Sequence, residues 1–274
     1  MVTFRQWLEL SSTARAVVLD EVTERLPPGF LAATDVGHAP AAVPQYLHPA
    51  TGLLFHLVLG DEVLLGMSPR RLARVVEVQR GLHRDADEDL DLPQAVPSEE
   101  EARPFTPRRL QAPPVLVGEV LTEWQLRKLG VPGELVAAGG LRPAGVGAAL
   151  KALAAVGLRF PSEAEWEFAA RAAADDLDDE APPTSPELRF LPDLGAGAEL
   201  CRDSWHPDWT RAPAGAEAWG EGHEVVRGGG QGSRYTGWLA RGAWTECVWP
   251  ARRQLSASPA PVRARPFASL RPAG

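Results

Sequence analysis

Isoleucine and asparagine are absent from this 274-residue chain, and cysteine, methionine, tyrosine and lysine occur only twice each. Two cysteines, Cys201 and Cys247, far apart in the sequence, exclude a disulfide-stapled scaffold. Such a pair is expected to be two buried free thiols, with a cross-strand disulfide or an improvised metal pair as the alternatives. No apolar run approaches membrane-spanning length, and Met1 to Leu10 lack a basic-then-apolar leader pattern, so a cytoplasmic protein with no membrane partner is expected. Basic residues number 28 against 36 acidic ones, a net charge of −8, which argues against a general nucleic-acid binder. Lys128 and Lys151 stand alone among abundant Arg, Ala, Gly and Pro, the composition of a very GC-rich bacterial genome rather than of a function. The catalytic motifs are missing too. There is no G-x-S-x-G elbow, no P-loop and no dinucleotide fingerprint, since Gly-rich Arg227 to Gly232 has neither the Lys nor the strand-then-helix context that a phosphate cradle needs.

What is present is a set of capped helices separated by short apolar strands. Ser162 and Glu165 form a capping box after Pro161, and Trp166, Ala169, Ala170 and Ala173 recur at helical spacing behind it. Glu163, Glu165 and Glu167 place negative charge in the first turns, where the helix dipole favours it, and capping and solvation account for them. Thr122 and Gln125 make a second capping box, with Leu121 and Leu126 as its staple and Gly130 as its end. Val146, Ala149, Leu150, Leu153 and Val156 mark a third helix, closed by Gly157. Near the N-terminus, Ser11 or Ser12 can cap a helix to about Leu26 with Ala16, Leu19, Val22 and Leu26 on its buried face. Leu53, Phe55, Leu57 and Leu59 alternate as a half-buried strand does, and Gly60-Asp61 reads as the turn of a hairpin returning through Val63 to Leu65. The acidic, Pro-containing stretches 83–104 and 175–187 read as exposed or mobile loops. The expected fold class is α+β, with short strands, long irregular loops and helices packed on the sheet.

The stretch from Leu158 to Arg171 matches R-[LF]-P-[ST]-E-A-E-W-E-[FY]-A-A-R, and in this it closely resembles the formylglycine-generating enzymes, or sulfatase-modifying factors. Further blocks follow in the family's order. Thr51 to Ser68 resembles its opening hairpin, Val117 to Leu126 its E-V-T-N-x-Q-Y, Val225 to Gly229 its V-V-R-G-G, and Arg265 to Arg271 its closing strand. The resemblance implies a variant of the C-type lectin fold over residues 45–274, preceded by an N-terminal helical extension over 1–44.

The departures bear on function. The family binds Cu(I) through two thiolates spaced C-x4-C after R-G-G, because soft sulfur selects Cu(I). Here the aligned positions are Ser233 and Trp238, so copper and formylglycine generation are not expected. The family's calcium-bearing N-V-W-E-W segment corresponds to Phe190 to Trp205, where Ala196, Ala198 and Leu200 replace the Asn and both Trp while Asp193, Glu199, Asp203 and Trp205 survive. That leaves few neutral oxygen donors for calcium. Asp85, Asp87 and Asp89 begin like an EF-hand loop, but Leu90 occupies the Gly position and Val96 the Glu position. The six histidines lack the H-x3-H-x-E spacing of the iron-dependent sulfoxide synthases that share the fold. No metal and no cofactor is expected, and no catalytic residue is assigned.

What remains is a binding surface. In the family's fold the segment after R-G-G lies beside the ligand groove, and here it carries Arg234, Tyr235, Trp238, Arg241, Trp244, Trp249 and Arg252, together with Arg253. Rings and guanidinium groups of this kind form interface hot spots; the alternative is that the tryptophans fill a core. The expectation is a non-catalytic module that binds a protein partner or a small ligand, within a larger assembly. The alternative is an oxidoreductase of the same type with relocated ligands, using Cys201 or Cys247.

Overall fold

Helices form where the sequence caps them. The computed structural model describes residues 2–33, 43–66, 107–174, 194, 197–206, 211–228, 252–255 and 261–272. They fall into two units, one made of Met1–Glu62, Gln111–Pro161 and Pro259–Gly274, the other of Val63–Leu110 and Ser162–Ser258. The fold is α+β, with short strands in small sheets. Among the described residues no helix is long and apolar enough to cross a membrane.

In the first unit, α1 (Phe4–Glu9) carries a capping box from Thr3 and Gln6 that sequence reasoning passed over. Its Phe4 and Trp7 are buried. The following helix α2 (Ser12–Glu24) is capped by Ser11, whose hydroxyl accepts the Ala14 N–H at 3.3 Å. The expected buried face is corrected: Val18, Val22 and Leu26 are buried while Ala16 is exposed. Branched Val18 removes more apolar surface from water than Ala16 would, and at i, i+4 and i+8 the three form one stripe. The next helix α3 (Glu123–Lys128) has both halves of the Thr122–Gln125 box, with Leu121 and Leu126 buried beside it. It ends at Gly130, and α4 (Val146–Ala155) ends at Gly157; their φ angles of +93° and +75° suit glycine.

Five antiparallel strands make the main sheet, in the order β1 (Leu31–Ala32), β2 (Gln45–His48), β3 (Leu53–Val58), β6 (Val115–Gly118), β12 (Phe267–Ser269). Two sequence expectations change here. Strand β3 is buried on both faces, because Phe55, His56, Leu57 and Val58 are all inside. Nor does β3 form a hairpin with β4 (Asp61–Leu65): both edges of β3 are taken by β2 and β6, and β4 pairs with β5 (Arg108–Ala112). A small ribbon of β7 (Val136–Ala137) and β8 (Gly140–Leu141) completes this unit, bridged from Leu141 to Val262.

The second unit has one described long helix, α5 (Glu163–Ala174), and a three-stranded antiparallel sheet in the order β11 (Arg252–Gln254), β10 (Val225–Arg227), β9 (Glu199–Leu200). The acidic stretches 83–104 and 175–187 and the Asp85–Asp89 run lie outside the described residues.

Candidate functional site

Helix α5 begins with the expected box: Glu165 N–H donates to Ser162 Oγ at 3.0 Å, and Ser162 N–H donates to Glu165 Oε2 at 2.8 Å. The Ser162 hydroxyl then donates to the Ala216 carbonyl at 2.5 Å, so this cap is buried rather than solvated. From Glu165 to Ala173 every residue is buried. A helix enclosed on all sides has no solvated face, so its charged residues must find partners inside the protein.

They do. Arg227, fully buried at the end of β10, donates from Nη1 to Glu163 Oε1 and from Nη2 to Glu167 Oε2, both at 3.0 Å. Glu167 Oε1 accepts from Arg171 Nε at 3.0 Å and from the Gly66 N–H at 2.8 Å, and Arg171 Nη2 donates to the Gly66 carbonyl. The Arg227 guanidinium also lies over the Trp166 ring, 5.2 Å from its centre, and the Trp166 indole N–H donates to Glu199 on β9 at 2.9 Å. Capping and solvation, expected from the sequence to account for Glu163 and Glu167, do not: both carboxylates bind buried guanidinium groups. The overlooked signal was Glu167–Arg171 at i, i+4 inside an otherwise apolar run. Burial pulls the Arg227 pKa down, but Glu167 and then Glu163 outweigh it and hold it above its ordinary value. The geometry is that of a structural clasp of α5 to the three-stranded sheet. Removing one member would strand a buried charge.

The segment from Glu199 to Trp205 supplies the rest of this interior. Glu199 takes the Trp166 indole, and Asp203 accepts the Glu163 N–H at 2.6 Å and the Trp219 N–H at 2.8 Å. The Trp205 N–H donates to Glu224 at 2.9 Å. Cys201 is buried, and its thiol is pushed well above its ordinary value by burial and by the negative charges of Asp203, Glu163 and Glu199. An open hollow of about 300 Å³, solvent included, lies beside this cluster, walled by Arg108, Glu163, Asp203, Glu217 and Trp219. Trp219 stacks on His206 with ring centres 3.6 Å apart and an interplanar angle of 11°.

These residues do not fit the metals that the sequence resemblance brings to mind. Copper would need thiolates where Ser233 and Trp238 stand, and Cys201 is a buried thiol held protonated. For calcium, Glu199 and Asp203 are turned to N–H donors, and Ala198 and Leu200 offer no side-chain oxygen. Among the described residues no group of three or more His, Cys, Asp or Glu can hold a metal ion. Of the expected binding residues, Arg234, Tyr235, Trp238, Arg241, Trp244 and Trp249 lie outside the described residues, as do Arg253's side chain and Cys247. Arg252 opens β11, described in its backbone alone. Strands β10 and β11 pair antiparallel with Arg227 opposite Arg252. Gly228, next in the chain, has a φ of +70°, which suits glycine.

Neither a family model nor a curated protein matches the chain. Among solved structures it is similar to PvdO from Pseudomonas aeruginosa, at 14% identity and a TM-score of 0.49 over 80% of this chain and 95% of that one. It is also similar to Treponema denticola variable protein 1, at 15% identity and a TM-score of 0.44 over 90% of this chain and all of that one (100%).

Proposed function

We propose that this chain is a non-catalytic relative of the formylglycine-generating enzymes, built on their variant of the C-type lectin fold, that works as a recognition or scaffolding module in the cytoplasm of a bacterium. One observation carries the reading. Strands β10 and β11 pair with Arg227 opposite Arg252, and Arg227 is itself held by Glu163 and Glu167. Between those two positions runs one stretch of sequence rich in rings and guanidinium groups, the residue types of interface hot spots. It carries Arg234, Tyr235, Trp238, Arg241, Trp244 and Trp249, with Arg252 at its end. The charged residues that match the enzyme family are occupied in holding α5 to the sheet, and neither thiolate of a copper pair is in place. The partner is a protein or a small ligand, with nucleic acid and membrane disfavoured by the charge of −8 and the lack of long apolar runs.

The test is partner capture from native cell extract by the wild-type chain, Trp238→Ala and Arg241→Ala, with thermal unfolding measured alongside. Each substitution should weaken capture by roughly thirtyfold, the equivalent of about 2 kcal/mol, and leave the melting temperature unchanged. Melting temperatures that collapse in both variants would place these side chains in the core and refute the assignment. Tight stoichiometric Cu(I) binding that disappears in a Cys201→Ala, Cys247→Ala variant, or turnover of a cysteine peptide with oxygen, would refute the non-catalytic reading and support the relocated oxidoreductase.

A further inference from the structure

Among the buried carboxylates of the second unit, Glu163 and Glu167 meet guanidinium groups, Glu199 accepts an indole N–H and Glu165 caps its own helix. Asp203 plays a different part. Its two oxygens instead fasten two separate segments, Oδ2 taking the Glu163 N–H that starts α5 and Oδ1 the Trp219 N–H of the 211–224 loop. Ionised, the carboxylate accepts both amides. Protonated, it turns one oxygen into a donor and can serve only one of them well.

We propose that Asp203 is a proton-operated clamp that holds the Trp219 loop to the start of α5 when ionised and releases one of the two amides when protonated. The charged groups around it fit that role. Glu163 faces it from α5 and opposes its charge; Arg202, its chain neighbour, favours it. Glu199 and Cys201 lie on the β9 side, Arg227 on β10 binds Glu163, and Arg108 and Glu217 line the same hollow. Burial pushes the carboxyl up to about 6, against the pull of the Trp219 N–H, with Glu163 adding to the rise. Trp219 has further contacts that its amide positions: its carbonyl accepts the Ser204 N–H at 3.0 Å and His206 Nε2–H at 3.3 Å, its ring stacks on that of His206, and it lines the hollow.

The sign of the linkage follows from the direction of the shift. Between the ordinary value of 3.8 and about 6 the folded chain holds a proton that the unfolded chain has released. Stability from this group therefore falls as pH rises through that window, while the loop is held best at its upper end. Global stability and loop attachment should move in opposite directions, which an ordinary surface carboxylate would not produce.

The experiment is a carbon-13 carboxyl titration of the full chain by NMR, with Asp203 assigned through Asp203→Asn, following the Trp219 amide and indole signals in the same samples. The expected result is an Asp203 midpoint near 6, against an ordinary 3.8, with the Trp219 signals moving at that midpoint. Asp203→Asn, which cannot ionise, should hold the Trp219 signals at their acid positions throughout and should lack the wild-type loss of melting temperature with rising pH. A midpoint near 3.8, or Trp219 signals that stay still while Asp203 titrates, overturns the proposal. If the variant does not fold, Asp203 is assigned in the wild type by through-bond correlation from its backbone amide, and its titration with Trp219 still gives one of these two answers.

Discussion

In the first unit the paired strands β3 and β6 bury Phe55, Leu57, Val58, Val115, Leu116 and Val117, while the second unit sets Glu163, Glu167, Arg171 and Arg227 at the same depth. The two interiors respond differently to damage. An apolar core loses the transfer energy of the atoms removed and pays for a cavity, and the rest stays satisfied. An ionic core that loses one member keeps the other, now charged and without its partner, in a place where water cannot reach it. The second unit is therefore the more brittle of the two. The strands of its three-stranded sheet are only two or three residues long, so that ladder adds little to compensate.

Substitutions can break that comparison in order of size. Arg227→Ala should have the largest effect, about 3 to 5 kcal/mol by denaturant unfolding, because Glu163 and Glu167 both lose a partner at 3.0 Å. Replacing buried Leu57 by Ala should cost about 3 kcal/mol, and unlike the first change it should be insensitive to pH, since it leaves no charge behind. The two capping boxes allow a matched pair. Ser162→Ala removes a buried cap that also holds the Ala216 carbonyl, and should cost about 2 kcal/mol, against about 1 kcal/mol for Thr122→Ala at an exposed cap. Equal losses would mean that burial of the Ser162 cap adds nothing. The smallest change is Trp124→Ala: the ring is 64% exposed and touched by Lys128, so its removal should stay within about 0.5 kcal/mol.

The first unit was the easier to read from sequence. Periodicity finds α3 and α4 and their caps because the physics is local: a side chain reaches its own helix's amides, and a glycine ends the turn. Where that reading failed, nonlocal partners decided the outcome. Strand β3 is buried on both faces because β2 and β6 occupy its edges, and alternation of apolar residues cannot announce a neighbour. The candidate site was less legible still. The long motif at α5 was recognisable as a string, yet the reason for its charges lies 60 and 64 residues away, at Arg227. Sequence spacing alone gives no reason to join them. Glu167 and Arg171, charged and set among Trp166, Phe168, Ala169 and Ala170, were the local hint that this helix is enclosed.

The claim that these charges form the working core of the second unit is tested most directly by a double-mutant cycle on Glu163 and Arg227, using Glu163→Gln and Arg227→Met and measuring the free energy of unfolding. The two side chains meet at 3.0 Å with nearly no exposure, 5% and 1%. Each single change leaves the other charge buried, and the double change removes both, so the account predicts a coupling of about 2 kcal/mol. Losses that add to within about 0.5 kcal/mol would contradict it, because independent residues add in that way.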